Sequence, residues 1–298
     1  MRNPFHVDAP KGQIPAIYHR QIGDLTVSVI SDGYLMGAVN VLRNIEEDDA
    51  QQMIVDAFGP VEGRKTAVNT FLIYSRGRLA LVDTGCGTYM ADTGGKLLQN
   101  LELAGVKPTD IDTILLTHMH PDHSAGLSNR DTWQPFFPNA ELVFHENELK
   151  HWEDDGAMAK GNEREQALFF GATREQVAPY KKQMRMFKDG DEVFPGVTAM
   201  TAQGHTPGHS MYNVQDGNEQ LLIWGDIMHV PDIQAPRPEV TIAYDTDPTQ
   251  AEASRRRVCD MASSDRLLVA GMHLHFPACS HVVREGNGFR VIPESWRQ

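Results

Sequence analysis

Cysteine is scarce in this chain. Only Cys86, Cys259 and Cys279 occur in 298 residues, far apart and with no C-x-x-C spacing. A disulfide framework or a thiolate zinc site is therefore not expected, and a reducing compartment fits. Positive charge is also short: 27 Lys and Arg stand against 40 Asp and Glu, a net charge of −13. The run Arg255–Arg257 is brief and lies in a helix-like stretch, so no nucleic-acid partner is expected. No segment approaches 18 uninterrupted apolar residues, which predicts no membrane partner. The stretch before His19 lacks the apolar region of a secretory signal, and the expected location is cytoplasmic. No repeat, low-complexity tract or G-x-S-x-G elbow is present, so neither a solenoid nor a serine nucleophile is expected.

What remains is an ordinary globular composition, 41% hydrophobic and 22% charged, long enough for a sizeable core. "LTVSVISDGYL" (25–35) predicts a strand with a turn at Asp32–Gly33. "NTFLIYSRGRLALVDTG" (69–85) predicts two strands joined at Arg76–Gly77. Helices are predicted over 44–59 and 94–106. A third is predicted over 247–264, where Asp247 is an N-cap and Pro248 takes the first helical position. "IDTILLT" (111–117) and "DRLLVAG" (265–271) read as buried strands, and 281–293 as a hairpin around Asn287–Gly288. Strands and helices alternate in both halves, which predicts an α/β fold of packed layers. We expect a single domain over 1–298 with a helical insertion at about 145–188.

Histidine is concentrated where strands end. "THMHPDHSAG" (117–126) holds His118, His120, Asp122 and His123 within six positions. Imidazole nitrogen and carboxylate oxygen are the ligands preferred by zinc-like ions. An extended backbone points His118 and His120 the same way, and Pro121 then forces a turn. Asp122 and His123 thus face a second ion beside the first. Further ligands must come from other loops. "GHTPGH" (204–209) offers His205 and His209, "WGDIMH" (224–229) offers Asp226 at a strand end, and "GMHLHFP" (271–277) offers His273 and His275. The remaining histidines, such as His145 and His281, read as packing or surface residues.

Taken in order, "LVDTG", "THMHPDH", "GHTPGH", "GD" and "GMHLHFP" resemble the metallo-β-lactamase fold hydrolases over nearly the whole chain. The segments "GDIMHVPDIQAPRPEVTIAYDTD" and "HFPACSHVVREGNGFRVIP" look closest to the methyl parathion hydrolase branch, which is related to the N-acyl homoserine lactone lactonases. The resemblance implies an αββα four-layer sandwich with a dinuclear metal site at one edge of the sheets. It implies His118, His120 and His205 on one ion, Asp122, His123 and His273 on the other, and Asp226 bridging. It selects His205 over His209 and His273 over His275, and leaves His209 and His275 as supporting neighbours. Asp83 resembles a carboxylate that orients a ligating imidazole. Some lactonases of this fold carry a tyrosine where this chain has His229, so His229 is a candidate proton donor to a leaving group.

The expected cofactor is two divalent ions, zinc first, with Mn, Co or Fe also suited to these ligands. The expected activity is attack by a metal-bridging hydroxide on a small ester-type substrate, a lactone or carboxylic ester, with Asp122 accepting the proton shed by the nucleophile. Phosphotriester hydrolysis is the alternative. A reading from another class is an iron-containing oxidoreductase or a non-catalytic metal-containing ligand-binding protein. The partner is a small molecule, and the apolar positions of 44–59 together with the resemblance lead to the expectation of a homodimer.

Overall fold

A computed structural model describes residues 16–296. The first half runs β1 (Ile17–Ile22), β2 (Leu25–Gly37), β3 (Leu42–Arg43), α1 (Glu47–Asp56), β4 (Arg64–Ser75), β5 (Arg78–Val82), α2 (Leu97–Leu103), β6 (Thr113–Leu115), the single turn α3 (Pro121–Ser124) and β7 (Glu141–His145). Then come α4 (Glu146–Trp152), α5 (Asp155–Met158), α6 (Glu163–Glu165), a π-helical turn over Gln166–Gly171, α7 (Ala172–Val177) and β8 (Met184–Phe187). The second half runs β9 (Glu192–Phe194), β10 (Val197–Thr201), β11 (Ser210–Asp216), β12 (Glu219–Ile223), α8 (Pro231–Gln234), β13 (Thr241–Ile242), α9 (Pro248–Ser264), β14 (Leu268–Ala270), β15 (Cys279–Glu285) and β16 (Gly288–Pro293).

Two seven-stranded sheets result, ordered β1-β2-β4-β5-β6-β7-β8 and β16-β15-β14-β12-β11-β10-β9. Strand periodicity explains their packing. Side chains alternate across a strand, so Phe71, Ile73, Leu115 and Val143 face the second sheet. Their neighbours Leu72, Ile114, Leu142 and Phe144 face the opposite way. The first set meets Tyr212, Val214, Leu221, Ile223 and Val269 in the core between the sheets. The second set is covered by Leu97 and Leu101 of α2 and by Trp152, Phe170 and Val177 of the helical segment between β7 and β8. On the far side α9 packs on β15 through Val258, Cys259 and Ala262. The layers are thus α/β/β/α, as the resemblance implies. A smaller apolar cap joins α1, α8 and the β3–β13 ladder through Ile54, Ile233, Leu42 and Ile242.

Local sequence accounts for several boundaries. Asp247 accepts a hydrogen bond from Gln250 N at 3.0 Å and Pro248 opens α9, which is the cap read from the sequence. Arg76 (φ 50°) and Gly77 (φ 76°) turn the β4–β5 hairpin. Two expectations are corrected. Asp32–Gly33 is not a turn: β2 continues through it with a register shift between Ser31 and Gly33. Asp32 is buried and accepts from the N–H groups of Cys86, Gly95 and Leu97 at 2.8–2.9 Å, so it organises loops rather than a reversal. In the last hairpin Glu285 pairs with Gly288, which moves the turn one residue back, to Gly286–Asn287. Among the described residues, no helix is long and apolar enough to cross a membrane.

Candidate metal centre

The histidine-bearing loops leave the same edge of both sheets. The parallel strands β5 and β6 of one sheet, and β12 and β14 of the other, end there, and loops at the carboxyl ends of such strands form the usual binding crevice. The loop after β5 carries Asp83, whose backbone is left-handed (φ 58°). The loop after β6 carries His118 and His120, the latter in extended backbone, and Pro121 opens the α3 turn that presents Asp122 and His123. His205 lies between β10 and β11, Asp226 after β12 and His273 after β14. The approach to Asp226 needs Gly225 (φ 59°), because a Cβ there would stand 2.4 Å from His209 Nε2.

These loops bring six histidines and two aspartates together. His120 Nδ1 lies 3.1 Å from His118 Nε2 and 2.9 Å from His205 Nε2. His273 Nε2 lies 3.4 Å and His123 Nε2 3.7 Å from Asp122 Oδ2. Asp226 Oδ2 is the hub between the two groups. It lies 3.2 Å from His273, 3.3 Å from His123, 3.3 Å from His205, 3.7 Å from His118 and 3.0 Å from His229. Ligand atoms around one small ion bound at about 2.0–2.1 Å must lie within about 4 Å of one another. The ligand atoms of His118/His120/His205 and of Asp122/His123/His273 lie within 4.8 Å of one another, as do those of His118/His123/Asp226 and of His205/Asp226/His229, so small side-chain shifts would close each group around an ion.

The ring tautomers agree with it. His123 Nδ1 donates to Asp83 Oδ2 at 2.7 Å, His205 Nδ1 to Asp245 Oδ1 at 2.8 Å, and His273 Nδ1 to Ala67 O at 2.7 Å. Thr117 Oγ1 donates to Asp83 Oδ2 at 2.7 Å and lies 3.1 Å from His118 Nδ1. In these four rings Nδ1 is used on the outside, which turns Nε2 inward, the arrangement metal-ligating histidines adopt; His120 is the exception and turns Nδ1 inward. His123 Nε2 and Asp226 Oδ1 are buried and make no hydrogen bond. Such orphaned atoms are costly unless something occupies the space between them, and two divalent ions suit this donor set.

The electrostatics follow from burial and charge. Burial, reinforced by neighbouring imidazoles, holds His118 and His120 well below 6.5 and so neutral. Burial would also lower His123, His205 and His273, but the carboxylates win. Asp226, Asp122 and Asp83 hold His123 well above 6.5, Asp226 and Asp245 raise His205 to about 9, and Asp226 and Asp122 raise His273. Asp226 itself resists burial through the surrounding histidines and lies well below 3.8. The cluster without metal therefore traps protons that a cation would displace.

The supporting residues divide three ways. Asp83 stands where the sequence reading put it, also accepting from Thr117 N at 2.8 Å. His209 supports the site as expected but through the backbone: its Nε2 accepts from Asp226 N at 2.8 Å and its Nδ1 donates to Ala202 O. Burial lowers it to about 3, keeping it neutral for that task. His275 is a correction. The chain turns after β14, with Leu274 N bonded to Gly271 O, so His273 faces the cluster. The His275 side chain is instead 63% exposed against Asp232. His229 reaches the cluster: its Nε2 lies 3.0 Å from Asp226 Oδ2, its Nδ1 is buried without a partner, and burial lowers it to about 4.

Four residues escaped the sequence reading. Asp245 holds His205 and also accepts from Ile242 N at 3.0 Å. Glu148, fully buried, accepts from Met119 N, Trp152 Nε1, Gly208 N and the Thr206 hydroxyl, tying the His118–His120 loop to the His205 loop. Asn69 Nδ2 donates to Met272 O and Leu274 O, fixing the His273 loop. Arg255 of α9 donates to Ile227 O and Val240 O, fixing the Asp226 loop. Asn69, Glu148 and Arg255 sit in no motif and read as ordinary strand or helix residues until the chain folds, whereas Asp245 lies within the segment 225–247 that carries the resemblance, without a role of its own there.

The cluster opens into a cavity of about 540 Å³ whose wall includes Leu35, Met36, Tyr89, Leu168, Phe169 and Tyr244. That size and apolar character suit a small organic molecule. The metallo-beta-lactamase superfamily model matches residues 63–273, the span that carries every loop of the cluster. The chain belongs to the metallo-beta-lactamase superfamily. Among solved members, the hydrolase AbOPH of the beta lactamase superfamily is 31% identical, covers 96% of this chain and 100% of its own, and superposes with a TM-score of 0.89. AidC, a dizinc quorum-quenching lactonase in complex with a product, is 24% identical over 95% of this chain and 99% of its own, with a TM-score of 0.90. An N-acyl homoserine lactone hydrolase with N-hexanoyl-L-homoserine at its catalytic metal centre is 19% identical over 85% and 98%, with a TM-score of 0.60.

Proposed function

We propose that this superfamily member is a metal-dependent hydrolase of small ester-type substrates, with lactones as the first substrate class. The observation that carries the reading is the convergence of His118, His120, His205, Asp122, His123, His273 and Asp226 at the floor of the apolar cavity. His118, His120 and His205 would hold one ion, Asp122, His123 and His273 the other, and Asp226 would face both. Zinc is the first candidate, and Mn, Co and Fe suit the same donors. When bound, such a pair lowers the pKa of water from 15.7 to about 7 and polarises a carbonyl oxygen.

The protein's own groups do the rest. Asp122 lines the cavity and accepts the proton that the attacking oxygen sheds. His229, which lines the cavity with its Nε2 3.0 Å from Asp226 Oδ2, is the candidate group to meet the substrate's leaving oxygen. Phe169 stacks beside His120, ring centroids 4.9 Å apart, and with Tyr89 and Leu168 it offers an apolar wall to an acyl chain. The lactonases of the same fold, with homoserine products named in their complexes, support lactones over other esters.

The test is a panel of N-acyl homoserine lactones, aryl carboxylic esters and a nitrophenyl phosphotriester, assayed before and after chelation and after zinc is restored. Lactone or ester hydrolysis that is lost and regained with the metal is expected. A phosphotriester turned over faster than every lactone and ester would replace the substrate assignment. Iron uptake with no hydrolysis would replace the reaction. Self-association through the region after α1, where Phe58 is 99% and Val61 84% exposed, is part of the proposal. A monomer mass by light scattering at micromolar concentration removes it.

A further inference from the structure

One charged group in the cavity wall has no counterpart in the candidate metal centre. Arg64 opens β4, and its side chain is buried, with the residue 8% exposed. It lines the cavity beside Thr66, two residues on and so on the same face of the strand. Its guanidinium donates to the Thr66 hydroxyl through Nη1. Its Nε is buried with no hydrogen-bond partner, and among the described residues no carboxylate lies within ion-pair distance of it. Arginine stays protonated in proteins, and a buried, unpaired cation is strongly unfavourable. The surroundings leave it room: at Gly37, opposite in the paired strand, a Cβ would stand 3.1 Å from Nη2.

The rest of the wall points the same way. Apart from the candidate ligands Asp122 and Asp226, the carboxylate and cationic side chains described around the cavity are Arg64 and Arg164 alone. In a chain of net charge −13, two arginines balance the two candidate-ligand aspartates in this wall. We propose that Arg64, assisted by Thr66, binds an ionised carboxylate carried by the substrate away from its scissile bond, with Arg164 at the rim. A guanidinium meets a carboxylate through two parallel hydrogen bonds, and Arg64 Nη2 has no partner among the described hydrogen bonds and ion pairs. The spacing is fixed by β4. His273 is held by Ala67 O, and three residues of strand separate Ala67 from Arg64, about 10 Å. The substrate class is therefore an ester or lactone bearing a second, anionic arm.

This rests on the hydrolase reading, and the test separates the two. Zinc-loaded protein, its metal content measured, is titrated calorimetrically with the dicarboxylates from glutarate to suberate and with monocarboxylates of equal length. One dicarboxylate is expected to bind at least tenfold more tightly than its monocarboxylate. Arg64→Gln should erase that advantage and leave monocarboxylate affinity unchanged, and Arg64→Lys should restore part of it. In turnover, a carboxylate-bearing ester should lose to Arg64→Gln through KM rather than kcat. If Arg64→Gln does not fold, Thr66→Val and the salt dependence of the wild-type advantage carry the same reading. Equal binding of the two series, or an advantage that survives Arg64→Gln or persists after zinc is removed, overturns the proposal. Arg64 also borders a second groove with Phe58 and His275, and the metal-free arm excludes binding from that side. Neutral esters hydrolysed without any dicarboxylate advantage would defeat this inference alone. A dicarboxylate advantage without hydrolysis would defeat the hydrolase reading alone, and failure to take up zinc would defeat both.

Discussion

Replacing Glu148 by glutamine removes one negative charge and changes almost no volume, yet it should be among the costliest isosteric changes in the chain. Oε1 of Glu148 accepts from Thr206 Oγ1 and Gly208 N, and Oε2 accepts from Met119 N and Trp152 Nε1. A carboxylate can accept all four; an amide can accept only at its oxygen, and its NH2 then faces two donors. Each buried donor left unsatisfied costs about 1–3 kcal/mol, so Glu148→Gln should lose about 2–6 kcal/mol. That is a large share of the roughly 5–15 kcal/mol available to a folded protein. Burial raises the Glu148 pKa while its four donors oppose that; a protonated carboxyl would bring a hydroxyl to a site that already supplies only donors. The assay is urea unfolding of wild type and Glu148→Gln in chelator, compared at fixed slope. A loss under about 1 kcal/mol would show that Glu148 does not act as a four-donor ionised clamp between the two histidine loops.

Other consequences can be measured alongside it. Asp245→Asn keeps the shape but offers one acceptor where His205 Nδ1 and Ile242 N each need one, so zinc affinity by chelator competition should fall about 10–100-fold; an unchanged affinity would detach Asp245 from the site. His120→Ala should abolish both metal retention and turnover, and full metal content with an undiminished rate would exclude His120 as a ligand. Stability of the metal-free protein should decline as pH rises from 6.5 to 9. His205 at about 9, together with the raised His123 and His273, contributes stability that is complete below the unfolded value of 6.5 and lost as the folded values are crossed. The lowered His118, His120, His209 and His229 are already neutral in that window. Zinc affinity should rise over the same interval, because the ion no longer displaces protons; a flat profile in both measurements would refute the charge assignment.

The candidate ligands were legible in the sequence because they are crowded. Four donor side chains in six positions have no common packing use, and strand-end positions such as Asp226 acquire meaning beside them. It was nearly silent about Glu148 and Asn69, since a carboxylate or amide on an ordinary strand or helix gives no sign of which distant loop it will hold, and about Asp245, whose loop position gives no sign that it will hold His205. The choice between His273 and His275 came from resemblance, and the turn at Gly271–Leu274 is its physical basis. Asp32 misled for a related reason: Asp-Gly is the dipeptide of tight turns, but here three backbone N–H groups from another loop claim the carboxylate and the strand passes through. Arg64 gave no signal at all, because an arginine in a strand reads as a solvated position until its burial is seen.

The division of the candidate ligands between the sheets would make the proposed centre a clasp between two halves. His118, His120, Asp122 and His123 belong to the half ending at β8, and His205, Asp226 and His273 to the half beginning at β9. Neither half by itself holds all the residues of either proposed ion site, so tight uptake of zinc is expected to report their union. Cut in the exposed Asp189–Asp191 connection, the molecule should behave as two complementary pieces whose reassembly is read directly from the metal they take up together.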